Sequence, residues 1–111
     1  MKRYCLTCDL IDNPELIEKY KWHHLPENQW PEINESIKAA GVLSMEIYVF
    51  GNRMFMIMDV SDSFTFEKQA EINKGPKSIE WENLMWGFQQ GVPGSKPGEK
   101  WVLMEQIFNL V

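Results

Sequence analysis

Tyr20-Lys-Trp-His-His24 sets a phenol, an indole and two imidazoles within one short stretch, and Trp30-Pro-Glu32 follows it. Imidazole is the side chain whose ordinary pKa lets it both give and take a proton near neutral pH. Aromatic rings beside it offer flat apolar surface. Together these types suit a small, uncharged, polyhydroxylated substrate whose chemistry is proton transfer alone. The chain holds no G-x-G-x-x-G, no Walker loop and no H-E-x-x-H, so neither a cofactor nor a metal is expected. Helical spacing pairs Tyr20 with His24 one turn later, and Lys19 with His23. Leu16 and Tyr20 form an inward stripe, so His24 is expected to line a cavity and His23 to face solvent.

The elements that must position these groups have to fit in 111 residues, enough for one domain spanning 1–111 with its own core. A hydrophobic fraction of 44% and an aromatic fraction of 13% describe a globular chain. The net charge of -5 argues against a nucleic-acid partner, which needs clustered Lys and Arg. No apolar run approaches the roughly 18 residues of a membrane span, so no membrane partner is expected. The N-terminus lacks a signal peptide's apolar centre, which predicts a cytoplasmic protein with reduced thiols. Cys5 and Cys8 have C-x-x-C spacing, but they fall in a predicted strand, where alternation points them to opposite faces. Without a helix N-terminus or a second ligand pair they are two unrelated thiols.

Residues 3–10 are predicted as the first strand. Asn13-Pro14-Glu15 is a helix start, with an Asx cap, Pro in the first turn and an early acid. Pro26 interrupts that helix. A second piece restarts at Pro31-Glu32 and ends at Lys38-Ala-Ala-Gly41. Two strands follow, 42–50 and 53–60, joined through Gly51-Asn52 as a hairpin. Leu43, Met45, Ile47 and Val49 alternate onto one face of the first of these. The other, Met54-Phe-Met-Ile-Met58, is apolar on both faces, as a central strand covered on both sides would be. Ser61-Asp-Ser63 is placed to cap a helix over 64–72. Another helix carries Trp81, Leu84, Met85 and Phe88 as an apolar stripe. Residues 91–98 form a Gly/Pro-rich loop, and a last strand is predicted over 101–108. The order β, α, β, β, α, β predicts an α+β, ferredoxin-like split βαβ fold: one antiparallel sheet with helices on one face. The bare face predicts a homodimer, in a dimeric α+β barrel-like association.

The layout Tyr20-x-x-x-His24, Trp30-Pro-Glu32, Gly41 leading into a strand with Ile47-Tyr48, and Trp81 on a late helix resembles the L-rhamnose mutarotase family. The resemblance runs from the first strand to Lys100-Trp101. It implies a dimeric, cofactor-free isomerase that interconverts the α and β anomers of a 6-deoxy-L-hexose. It also implies His24 as proton donor, with Tyr20 and Trp81 holding the sugar. Three departures stand out. Met45 occupies a place where the family pattern has Tyr, Glu82 stands where a second Trp can follow the first, and the segment between His24 and Trp30 is two residues longer. Met45 is thereby a member of the sugar-contacting wall, and L-fucose is open as substrate beside L-rhamnose.

Plainer roles stand beside these. Tyr20 and Trp81 also suit core packing. Trp22, Trp86 and Trp101 suit packing or an interface, and the methionines suit a sheet core. Glu15, Glu18, Glu27 and Glu32 suit a solvated face. Two functions of other classes remain open from the residues alone: an oxidative, monooxygenase-like enzyme or haem-handling protein of the same fold using His23 or His24, and a non-catalytic sugar- or effector-binding or dimerisation module.

Overall fold

The computed structural model describes residues 1–111. Strand β1 (Lys2–Leu10) leads to helices α1 (Pro14–His23) and α2 (Pro31–Ala39), separated by a 3-10 turn at Pro26–Asn28. The hairpin β2 (Val42–Phe50) and β3 (Arg53–Val60) comes next, then α3 (Phe66–Ile72) and α4 (Pro76–Trp86). Two short strands, β4 (Gln89–Gln90) and β5 (Val102–Leu103), complete the sheet. The strand order is β2-β3-β1-β4, and β5 pairs with β1 farther along the same edge. Every pairing is antiparallel, and the fold is the ferredoxin-like split βαβ.

Local chemistry accounts for most boundaries. Asn13 caps α1 by accepting from the backbone N–H groups of Glu15 and Leu16, and proline stands in the first turn of α1, α2 and α4. Helix α3 starts later than Ser61-Asp-Ser63 predicts, because those two serine hydroxyls bond each other and Thr65 accepts from Lys68 N instead. The predicted strand over 101–108 shrinks to Val102–Leu103. The edge of β1 is shared with Gln89–Gln90, which directly follow α4 and take the pairing at Asp9 and Leu10. In β2 the pairing shifts between Val42 and Ser44, so Val42 enters the core and Leu43 is left unpaired and 61% exposed.

The core lies between the sheet and the helices. Leu6, Cys8 and Leu10 of β1 and Met54, Met56, Met58 and Val60 of β3 are buried there. Cys8 and Cys5 fall on opposite sides of β1 and both are free. Burial pushes the Cys8 thiol up to about 11, which removes it from redox or nucleophilic duty. On the sheet's other face two forked ion pairs cross from β1 to β3. Arg3 donates to both carboxylate oxygens of Asp59, and Arg53 to both of Asp9. Asp9 is buried, so Arg53 holds the register of β1 and β3 as well as charge.

Candidate active site

His24 closes α1 as its C-terminal cap, where Pro26 shortly beyond stops the helix. Its ring folds back on its own helix, with Nδ1 2.8 Å from the Tyr20 carbonyl. A carbonyl only accepts, so Nδ1 carries the hydrogen and Nε2 keeps a free lone pair. Burial lowers the His24 pKa below 6.5, with the bond to Tyr20 acting in the opposite direction. The ring is therefore neutral near pH 7 and has the form of a base.

Tyr20 is buried and faces the same ring, the two centroids 4.4 Å apart. Its hydroxyl accepts from Gln89 Nε2 at 3.0 Å. Burial pushes the Tyr20 pKa upward, so the phenol keeps a proton it can donate. Trp81, on α4, packs edge-on to His24 with centroids 5.6 Å apart, and Trp30 lies 5.1 Å beyond Trp81. Met45 stands on β2, half-buried and paired with Met58.

These residues line one cavity of about 570 Å³ between the sheet and α1, α2 and α4. That volume lies within the roughly 300–1,000 Å³ of small-molecule sites. Tyr20, His24, Met45 and Trp81, separated by up to 61 positions in the chain, all border it. The expectation for His23 is corrected. It does not face solvent but packs against Trp22, Trp81 and Phe88 and borders the same cavity. Its Nε2 is buried without a partner, and burial lowers its pKa below 6.5. The helix end explains this: where α1 gives way to its cap, strict helical spacing no longer separates the two rings.

Gln89 and Lys100 are among the polar members of the cavity wall that sequence reasoning missed. Gln89 follows a helix and Lys100 follows a loop, and neither lies in a periodic pattern that marks an inward side. Lys100 is mostly buried, pairs with Glu82, and places its ammonium 4.7 Å from the Trp86 ring. No group of three or more His, Cys, Asp or Glu side chains is close enough to hold a metal ion.

Fold and site together define a class: a ferredoxin-like α+β protein whose helix-covered hollow is walled by aromatic rings around a neutral imidazole. A family model described as L-rhamnose mutarotase matches residues 3–110. The chain belongs to the L-rhamnose mutarotase family, and is thus an isomerase acting on sugars. It is 40% identical over 111 residues to a protein named L-fucose mutarotase from Xanthomonas campestris pv. campestris, covering 99% of this chain and 89% of that one. A UPF0734 protein of Dictyostelium discoideum is 36% identical over 116 residues, covering 98% and 90%. Among solved structures, the L-rhamnose mutarotase of Formosa agariphila superposes with a TM-score of 0.71 at 20% identity over the whole of both chains. A dimeric ferredoxin-like protein from an uncultured marine organism gives 0.57 at 19% identity, covering 85% of this chain and 95% of that one. The two structural likenesses speak to fold alone.

Proposed function

We propose that the chain is one mutarotase domain that interconverts the α and β anomers of a 6-deoxy-L-hexose, L-rhamnose or L-fucose, with His24 as the proton-transfer group. The observation that carries this reading is the His24 ring itself: neutral, tautomer set by the Tyr20 carbonyl, bordering a sugar-sized hollow. Nε2 takes the proton of the anomeric hydroxyl. The C1–O5 bond breaks as the C1 carbonyl forms, and the imidazolium returns the proton to O5. Both oxygens sit on C1, so one ring reaches both. Rotation about C1–C2 and reclosure by the reverse steps yield the other anomer, with no net change in atoms or electrons. A positioned acid–base group contributes roughly 10²–10⁴ to such a step. The Trp81 face suits the C–H side of a pyranose, the Tyr20 hydroxyl suits a sugar hydroxyl, and Met45 suits the apolar 6-methyl side.

The working form in this reading is a cytoplasmic homodimer joined through the open face of the sheet. Phe50 is 91% exposed there, beside Tyr48, while Phe55 and Ile57 are half-buried. The terminal segment adds Ile107, Phe108 and Leu110, at 88%, 73% and 87% exposure. The marine relative in fold is itself described as dimeric, and the two free thiols suit a reducing compartment. No helix is long and apolar enough to cross a membrane. Saturation-exchange NMR of L-rhamnose, L-fucose and D-glucose tests the proposal. Exchange between anomers is expected to accelerate for the two deoxy sugars, and equal rates with and without protein would refute it.

A further inference from the structure

Gln89 carries a buried polar atom with no partner inside the protein. The residue is 4% exposed, and its Oε1 has neither exposure nor a hydrogen-bond partner. The amide is held at its other end, where Nε2 donates to Tyr20 at 3.0 Å. Turning the amide over would let the phenol donate to the oxygen instead and would leave the NH2 unpaired. In either orientation one end of the amide stays unsatisfied, a desolvation cost that native interiors rarely carry without a reason. Gln89 borders the cavity, so the missing partner has room to be a ligand.

Lys100 supplies the complementary deficit on the same wall. Its side chain is only 11% exposed and its sole ion-pair partner is Glu82. An ammonium has three N–H donors, and one carboxylate in contact does not exhaust them. Burial draws its pKa down to about 8, with the neighbouring Cys8 sulfur acting in the opposite direction.

We infer that Gln89 and the Lys100–Glu82 pair form a hydroxyl-reading wall, which selects the sugar by the configuration of its ring hydroxyls. A sugar hydroxyl both donates and accepts. Gln89 accepts from one hydroxyl, Lys100 donates to another, and Glu82 orients the ammonium. A site built to satisfy a hydroxyl discriminates strongly against a substrate that lacks one in that place. L-Fucose and L-rhamnose differ in configuration at C2 and C4, so such a wall distinguishes them. This inference rests on the sugar reading above and adds which side chains set the preference.

The test compares the wild type with Gln89→Met and with the double variant Glu82→Gln/Lys100→Met, which leaves no unpaired charge. Each is checked for folding by thermal unfolding, and the two variants alter opposite ends of the wall, so either carries the test if the other fails to fold. Anomer exchange of L-fucose and L-rhamnose gives kcat and KM, and calorimetric titration of the same sugars gives affinity without turnover. The expected result is a KM raised about tenfold for the preferred sugar with kcat within about threefold, and a fucose-to-rhamnose ratio of kcat/KM moved toward unity. Unchanged KM and unchanged ratio in the folded variants would overturn the wall. If the wild type binds sugar without accelerating exchange, and the variants lose that binding, the wall stands and the mutarotase reading falls. If the wild type neither exchanges nor binds either sugar, the wall falls with it.

Discussion

At the scale of single residues, the 2.8 Å contact between His24 Nδ1 and the Tyr20 carbonyl governs the chemistry proposed above. It leaves Nε2 unprotonated while the ring is neutral, and burial keeps it neutral by lowering the pKa below 6.5. Catalysed exchange is therefore expected to hold near neutral pH and to fall on acidification, with a midpoint below 6.5. A kcat/KM profile measures this, and a midpoint above that value would contradict it. The same shift acts on stability. The unfolded chain binds the His24 proton more readily than the folded one, so stability is lost as pH falls below 6.5 and levels off once the folded ring is itself protonated. His23 is the control beside it. His23→Ala is expected to keep exchange within about tenfold of wild type, since a packing change away from the proton path costs less than an acid–base group. A loss as large as that of the His24 variant would make the two rings partners. Tyr20, His24 and Trp81 were legible because helical spacing and aromatic type mark an inward face. His23, Gln89 and Lys100 were not, since they sit at a helix end or after loops, where no period says which way a side chain points.

At the scale of elements, the caps, the prolines and the Gly51-Asn52 turn placed both early helices and the hairpin correctly. These are local signals, and local signals survive tertiary context well. The start of α3 failed locally, at the Ser61–Ser63 bond, but the two failures in the sheet were decided by partners far along the chain. The bulge at Leu43 answers to the register of Val42 on Val60 and Ser44 on Asp59. The last strand is short because Gln89–Gln90 and Val102–Leu103 divide one edge of β1 between them. Gly41 joins α2 to β2 with a φ of +103°, and an added Cβ would come 2.8 Å from Ser61 Oγ. Both the positive φ and the crowding oppose a side chain, so Gly41→Ala is expected to lower stability by about 1–3 kcal/mol. Denaturant unfolding reads this, and an unchanged midpoint would contradict it.

At the scale of the whole molecule, one sheet face is sealed by four helices and the other is open. The sequence already carried this asymmetry: β3 is apolar on both faces, yet the chain has helices enough to cover only one. On the open face Phe50 and Tyr48 lie in solvent, near the charged pairs Arg3–Asp59 and Arg53–Asp9. In the homodimer proposed above this face is buried, with Phe50 removed from water. Phe50→Asp places a charge there and is expected to shift the protein from dimer to monomer, with secondary structure retained. Light scattering after size exclusion measures the mass, and an unaltered dimer would move the interface elsewhere.

The most direct test of the central claim is saturation-exchange NMR of L-fucose and L-rhamnose with the wild type and with His24→Ala, at matched concentration and neutral pH. The account predicts accelerated interconversion of anomers by the wild type, and a loss of at least about 10²-fold in the variant with its fold intact. Exchange that persists unchanged without the imidazole would contradict it.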